Sequence, residues 1–187
     1  MMNKQVYLYF VLLLTAFLSL TSCTNDDVKT SDIPLRTATN VIHISDFSDK
    51  LVLLSFGYTH CPDICPATLM HVSQALDLLS KDERTKVQSI FVTVDPERDS
   101  PEHLAKYAGF FHGEIIGAAV DKVYLNDFKK AFSIESFKTT QEENYEISHT
   151  SYLFLLSEDA KVLDIMGHQT KAESIVQAIR NKLKGSL

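Results

Sequence analysis

The pattern of apolar and polar positions along the chain predicts strands and helices in alternation. Short apolar runs of the kind found in buried parallel strands occur at Leu51–Phe56, Ser89–Val94 and Tyr152–Leu156. Between the first two runs, from Leu69 to Leu79, apolar residues recur every three or four positions. That spacing is typical of an amphipathic helix packed on a sheet.

The remaining segments complete the same alternation. Ile115–Ala119 predicts a third, weaker strand, and Ser100-Pro101 is a typical start of the helix that precedes it. Val162–Met166 predicts the hairpin partner of the last strong strand, and Ile175–Leu183 a closing helix. The predicted order is strand-helix-strand-helix-strand-helix-strand-strand-helix. Alternation favours parallel pairing with right-handed crossovers, and the hairpin adds antiparallel pairing. This order matches an α/β thioredoxin-like fold, with a mixed central sheet and helices on both faces.

The N-terminal segment has a different character. Val6–Leu20 is almost continuously apolar, but at about 15 residues it is shorter than the roughly 20 that span a bilayer, and it suits a signal peptide. It ends in small residues before Cys23, which resembles the lipobox of bacterial lipoproteins. We therefore expect a signal peptide at 1–22, a polar tether at 23–39 that starts at a lipidated Cys23, and a folded domain at 40–187. The alternative is an uncleaved anchor helix with a chance cysteine.

Composition narrows the possible functions. The chain has 187 residues, enough for one domain with a sizeable core, and a formal net charge of −6. It has no dense run of Lys and Arg, so its surface gives nucleic acid no reason to bind. With Cys23 used for the lipid, two of the three cysteines remain for the folded domain. An even pair in an exported protein favours disulfide or metal chemistry.

That pair is Cys61 and Cys65, which flank Pro62-Asp63-Ile64 directly after the first strong strand. Ligands of open α/β sheets bind at the carboxyl ends of strands. With Pro66 as the first residue of the following helix, Cys65 lies at or near its N-cap, where the positive helix end favours a thiolate. Two thiolates suit Cu(I) or zinc. The alternative is a structural disulfide, although so short a loop gains little stability from a bridge.

Two sulfurs leave a metal site under-coordinated, and among the seven histidines His149 is the strongest candidate for a third ligand. It precedes the strand Tyr152–Leu156, and in a thioredoxin-like fold the residue that enters this strand faces the dithiol. Thioredoxins usually have a cis-proline there, so a histidine favours metal coordination. A hydrogen-bonded loop histidine is an equal alternative. The other six histidines are weaker candidates for a ligand: His43, His60, His71, His103, His112 and His168.

Three segments together resemble a known family. Phe56–Pro66, Val94–Pro101 and Ser148–Tyr152 are similar, in this order, to the two signatures and the histidine-bearing segment of the Sco/SenC proteins. The resemblance runs from about Leu51 to the C-terminus. It implies a membrane-tethered thioredoxin-like domain that faces the periplasm or the mitochondrial intermembrane space.

The resemblance also implies a function. Its ligands for copper, as Cu(I) or Cu(II), are Cys61, Cys65 and His149, and the two cysteines are also the pair that forms a disulfide. The implied role is assembly of the binuclear copper centre of cytochrome c oxidase, with its copper-bearing subunit or another copper protein as partner. For this chain we expect a lipid-anchored protein that faces the periplasm.

Two other activities remain open. A thiol-disulfide oxidoreductase would use the same two cysteines to reduce an acceptor, which leaves open whether the protein is an enzyme. A peroxide sensor would need an activating hydroxyl and an arginine, for which Thr59 and Arg98 are candidates. Asp95 and Arg98 also suit an ion pair that braces the loop after the second strand, or the rim of the site.

Overall fold

The predicted strands form the centre of a seven-stranded mixed sheet. The computed structural model describes residues 29–140, 145–157 and 159–185. The strands are β1 Leu35–Arg36, β2 Val41–Ile42, β3 Leu51–Gly57, β4 Val87–Thr93, β5 Ile115–Val120, β6 Ser136–Lys138, β7 Ile147–His149, β8 Tyr152–Leu156 and β9 Val162–Gly167. Each of the five strands predicted from the apolar runs is present, within two residues of its predicted bounds.

The strand order in the large sheet is β2-β1-β5-β4-β3-β8-β9. β3, β4 and β5 pair in parallel, whereas β8 pairs antiparallel with β3 and β9 antiparallel with β8. The parallel centre, extended by an antiparallel hairpin, confirms the predicted mixed sheet. The carboxyl ends of β3 and β4 lie at one edge of this sheet, and that edge carries the site.

The described residues form five α-helices: α1 Ile64–Leu78, α2 Lys81–Thr85, α3 Pro101–Phe111, α4 Lys122–Ala131 and α5 Ala172–Gly185. The predicted start of α3 is confirmed, because the Ser100 side chain accepts a hydrogen bond from the His103 amide and Pro101 is the first helical residue. Short 3-10 helices occur at Thr30–Asp32 and Ile44–Phe47. The sequence pattern did not predict α2 or the 3-10 helices, since three to five residues are too few to show helical periodicity.

The core has two layers because side chains of β3 alternate between the faces of the sheet. Leu51 and Leu53 belong to the layer under α1, α3 and α5, with Leu69, Leu104 and Ile179. The opposite layer, which lies against α4, contains Val52, Leu54, Phe56, Phe128, Phe132 and Phe154. Helices therefore cover both faces, as the fold prediction requires. Three phenylalanine rings, those of residues 56, 128 and 132, lie within 5.7 Å of one another between centroids.

The N-terminal part of the described chain is packed rather than extended. Ile33 and Leu35 are 2% and 0% exposed, and Leu35 pairs with Val120 in the sheet. Part of the segment predicted as tether (23–39) thus lies in the core, because an apolar residue every second position buries one face of a short strand. The predicted signal peptide and Cys23 lie outside the described residues. Within the described residues, no helix combines the length and apolar character needed to cross a bilayer.

The strands β6 and β7 form a separate two-stranded sheet, in which Ser136 pairs with His149. The sequence did not predict this hairpin, because three-residue strands carry too little alternation to be recognised. It positions His149 outside the large sheet, directly before β8.

Candidate metal centre

The dithiol lies between the end of β3 and the first turn of α1. Cys61 is in the connecting loop, and its amide donates to the carbonyl oxygen of Tyr58 at 3.2 Å. Asp63 is the N-cap of α1 and Cys65 its second residue, so the helix begins two residues before the predicted start at Pro66. The difference has a simple cause, because a proline lacks an N–H and fits any position of a first turn, where that donor has no partner within the helix. The predicted place at a strand end and a helix start is correct.

The two thiols differ in charge. Hydrogen bonding from the Cys65 thiol lowers the pKa of Cys61 to about 5, against an opposing effect of burial, and backbone amides of the first helical turn lower it further. One of these amides, that of Cys65, lies 3.5 Å from the Cys61 Sγ atom. The hydrogen bond to Cys61 and then burial raise the pKa of Cys65. At neutral pH the thiolate is therefore Cys61, whereas the sequence placed it at Cys65.

That reversal follows from the fold. Cys65 is 3% exposed and packed within the helix-sheet layer, while Cys61 is half-buried at the surface. A thiolate is stabilised where hydrogen-bond donors reach the sulfur and solvent lies nearby. The first-turn amides point out of the helix towards the preceding loop, so they reach Cys61 rather than a residue inside the turn. Both cysteines are free thiols in the structure, and their predicted disulfide stays a prediction.

Gly57, the last residue of β3, leaves room for the buried sulfur. A Cβ atom at this position would lie 2.8 Å from the Cys65 Sγ atom and 2.6 Å from Cε2 of Phe91. Both distances are shorter than van der Waals contact, so only glycine permits Cys65 to pack this closely against the end of the strand. The sequence gives no direct sign of this role, because it depends on contact between elements distant in the chain.

His149 faces the dithiol, as the sequence predicts. Its Nε2 atom lies 3.7 Å from the Cys65 Sγ atom, and its Nδ1 atom lies 2.9 Å from the carbonyl oxygen of Thr150. A carbonyl only accepts, so Nδ1 carries the proton and Nε2 presents its lone pair to the sulfur. Burial lowers the pKa of His149, which keeps the ring neutral. A neutral imidazole with one nitrogen fixed by a backbone carbonyl is the form that binds metals.

The three predicted ligands are close but are not gathered around a common point. Among the residues that the structure describes, no group of three His, Cys, Asp or Glu side chains is arranged to hold a metal ion. Cys65 and His149 are in contact, whereas the Cys61 sulfur accepts from the Cys65 amide. Two of the three donors thus stand at ligand spacing, and the third lies one helical turn away from Cys65 in sequence.

A buried carboxylate supports the loop that carries Cys61. Asp99 is 1% exposed and accepts from the Thr59 amide at 3.0 Å, the Thr59 hydroxyl at 2.5 Å and the Thr93 hydroxyl at 2.6 Å. Charge-assisted hydrogen bonds of this kind are strong when buried. Asp99 therefore ties the loop after β3 to the end of β4. This role of Asp99 was not predicted from the sequence.

Arg98 and Asp95 form the predicted ion pair, with 2.5 Å between Nε of Arg98 and Oδ2 of Asp95. Two tyrosines near this ion pair were not predicted from the sequence to have a role. The Tyr145 hydroxyl donates to Asp95 at 2.8 Å, and the Tyr58 hydroxyl accepts from the Ile147 amide at 3.2 Å. Tyrosines beside motif residues are a weak signal, because a phenol next to a strand is as often part of the core.

The arrangement expected of a peroxide sensor does not form. The Thr59 hydroxyl is bonded to Asp99, and the Arg98 guanidinium to Asp95 and the Tyr145 carbonyl oxygen. These groups hold the loops rather than a reactive sulfur.

The six other histidines do not join the dithiol in any interaction that the structure describes. His60 points to Asp99 and stacks edge-on with His103, with 6.0 Å between ring centroids. His43 lies beside Asp46, and His112 beside Asp77. His71 has a buried Nδ1 atom without a hydrogen-bond partner among the described residues. His149 is thus the histidine that the fold brings to the cysteines.

The fold and the site define the class of protein: a thioredoxin-like domain with a Cys-x3-Cys dithiol opposed by a histidine. Residues 35–184 match the SCO1/SenC family. Because this match covers most of the chain, the chain belongs to the SCO1/SenC family.

Individual relatives agree with that membership. The chain is 31% identical over 145 residues to Protein sco1 of Schizosaccharomyces pombe, covering 75% of this chain and 55% of the relative. The solution structure of apo Sco1 from Thermus thermophilus matches with a TM-score of 0.71 and 32% identity, over 83% of this chain and 90% of that one. The crystal structure of Arabidopsis thaliana ScoI with copper bound matches with a TM-score of 0.75 and 25% identity, over 82% and 96%. The chain spans about half the length of the curated relatives it matches.

Proposed function

We propose that this chain binds one copper ion through Cys61, Cys65 and His149 and delivers it during assembly of the binuclear copper centre of cytochrome c oxidase. The observation that carries the proposal is the approach of His149 to Cys65. Thiolate and imidazole bonds of roughly 2.3 and 2.0 Å, at the angles of a trigonal or tetrahedral site, separate sulfur from nitrogen by about 3.5–3.7 Å. The Sγ–Nε2 distance here is 3.7 Å.

The donor set favours a soft metal. Two thiolates and one imidazole suit Cu(I), and a three-coordinate site satisfies that ion without further ligands. Solved structures of the relatives from Arabidopsis thaliana and Bradyrhizobium japonicum have copper bound. Binding requires the Cys61 sulfur to move from the Cys65 amide towards the Cys65–His149 pair. Cys61 lies in the loop before α1, where such a movement leaves the helix intact.

A copper titration tests the proposal. The reduced protein is titrated with Cu(I) against a chromophoric competitor, beside Cys61→Ser, Cys65→Ser and His149→Ala. We expect one copper per chain in the wild type and loss of tight binding in the two cysteine variants and in His149→Ala. His43→Ala is the matched control, because His43 contacts Asp46 and not the dithiol. Equal copper affinity of the wild type and Cys65→Ser would refute the proposed site.

The low pKa of Cys61 favours a second function on the same residues, reduction of acceptor cysteines. The Cys61 thiolate would attack an acceptor disulfide and displace one acceptor sulfur as a thiolate. Cys65, having lost its proton, would then attack the Cys61 sulfur and release the second acceptor thiol. Two electrons pass to the acceptor, and a Cys61–Cys65 disulfide remains.

The two functions are separated in cells. The step between the cysteines makes no use of the His149 lone pair, whereas copper binding does. Oxidase activity that survives His149→Ala, in a variant that has lost copper binding, favours the reductase. Loss of oxidase activity in both His149→Ala and Cys65→Ser favours copper delivery.

The proposed partner is the copper-bearing subunit of the oxidase or another copper protein. We further propose that the chain is a lipoprotein anchored through Cys23 and facing the periplasm, which the lipobox-like residues before Cys23 support.

A further inference from the structure

The position of His149 depends on contacts outside the large sheet. Within the described part of the chain its strand, β7, pairs with β6 alone, and the two form a sheet of their own. A two-stranded hairpin is marginally stable unless it packs on something larger. The tertiary contacts of the segment 145–149 therefore decide where the His149 ring lies relative to Cys65.

One of these contacts is made by Arg98, in the loop after β4. Its Nη1 atom donates to the Tyr145 carbonyl oxygen at 2.9 Å, and its Nε atom to Asp95. The guanidinium carbon lies 3.6 Å from the centre of the Tyr145 ring. Asp95, held by Arg98, accepts in turn from the Tyr145 hydroxyl. Arg98 and Asp95 therefore contact Tyr145 at its carbonyl oxygen, its ring and its hydroxyl.

The second contact is made by Tyr58, three residues before Cys61. Its hydroxyl accepts from the Ile147 amide, and its ring meets the His149 ring edge-on with 6.0 Å between centroids. The Arg98 guanidinium carbon lies 5.8 Å from the centre of the Tyr58 ring as well. Arg98 thus lies between the loop that leads to the dithiol and the segment that leads into the histidine strand.

We propose that Arg98 is a positioning residue that sets the distance from the His149 imidazole to the dithiol through its contacts with Tyr145. The inference rests on the proposed copper function and adds a residue that does not itself bind the metal. A planar guanidinium donates in two directions and stacks on a ring at the same time. Lysine keeps the charge but has neither the planar group that stacks on a ring nor its paired donors. Arg98→Lys therefore removes the contacts with Tyr145 at constant charge.

The first measurement uses the reduced, copper-free protein and so is independent of copper binding. NMR follows the His149 imidazole resonances and the hydrogen exchange of the Ile147 amide. We expect Arg98→Lys to shift the imidazole signals and to speed exchange at Ile147 about tenfold or more, because the segment loses its contacts with Arg98. Tyr58→Phe, which removes the other acceptor, is expected to act in the same direction.

The second measurement is copper affinity. We expect Arg98→Lys to weaken copper binding about tenfold and to lower the nitrogen content of the copper shell seen by X-ray absorption. Arg180→Lys is the matched control, since Arg180 makes a two-bond pair with Glu83 on α2 and α5. Arg180→Lys is expected to lose comparable stability with unchanged His149 signals and copper affinity.

The outcomes separate the inference from the proposed function. If the imidazole signals and the Ile147 exchange rate of Arg98→Lys equal those of the wild type, the positioning role is overturned, whatever the copper result. Equal loss of copper affinity in Arg98→Lys and Arg180→Lys also overturns it, because the effect is then one of stability. A wild type without copper binding refutes the proposed function, and the copper-free NMR comparison still decides the role of Arg98. If Arg98→Lys does not fold, Tyr145→Leu removes the ring that Arg98 contacts and is measured in the same way.

Discussion

The Nε2 atom of His149 lies 3.7 Å from the Sγ atom of Cys65, although 84 positions separate the two residues in the sequence. The contact joins the first turn of α1 to a hairpin that is not part of the large sheet. It gives the imidazole a lone pair directed at a protonated thiol, beside a second cysteine that is already ionised. The imidazole and the two sulfurs of the site thus differ in protonation at neutral pH.

The ionised cysteine can be identified by its reactivity. Because only the thiolate is alkylated, the rate at Cys61 is expected to fall with a midpoint near pH 5 as pH is lowered. Iodoacetamide labelling followed by mass spectrometry measures the rate at each cysteine. Cys65→Ala removes the thiol that donates to Cys61, so its midpoint is expected to move upwards. A wild-type midpoint near 8.5, the value of an ordinary thiol, would contradict the assignment.

Copper binding is expected to release about one proton per copper at pH 7. Cys61 is deprotonated and His149 neutral at that pH, whereas the raised pKa of Cys65 keeps its proton until a metal displaces it. Addition of Cu(I), supplied as its acetonitrile complex, to weakly buffered protein with a pH indicator gives the stoichiometry. Below about pH 5 the number is expected to rise, as Cys61 also becomes protonated. Release of two protons at pH 7 would mean that neither thiol is ionised.

Gly57→Ala is expected to destabilise the fold by about 1–3 kcal/mol. The added methyl group meets the Phe91 ring and the Cys65 sulfur at less than 3.0 Å, so one of them must shift. Urea denaturation measures the loss. The control is Gly109→Ala within α3, where a Cβ atom meets nothing within 4 Å. There the change is expected to stabilise the helix by up to about 1 kcal/mol. Equal stability of the two variants would show that the strand end has room to spare.

The proposed lipid anchor implies a defined mature N-terminus. Wild-type protein is expected to incorporate labelled palmitate and to begin at Cys23, as measured by mass spectrometry of the N-terminal peptide. Cys23→Ser is expected to incorporate none, while Cys61→Ser remains labelled. A wild-type chain that carries no label and retains residues 1–22 would favour the uncleaved anchor helix instead.

Several features could be predicted because they are local. The apolar runs of β3, β4 and β8 predict buried strands, and the residues around Ser100 predict a helix start, since each pattern reflects only neighbouring residues. The place of the dithiol follows from the same logic, as a strand end followed by a helix start. His149 required one step more, the expectation that the residue before β8 faces that strand end.

The sequence by itself therefore determined the alternating strands and helices, the dithiol and the candidate histidine. The tertiary structure decided which sulfur is ionised, because the donors that stabilise Cys61 are helix amides and a buried neighbour. It decided as well that Asp99 supports the dithiol loop and that Arg98 and Tyr58 hold the histidine hairpin. These roles depend on distances between segments far apart in the chain, and such distances exist only once the chain has folded.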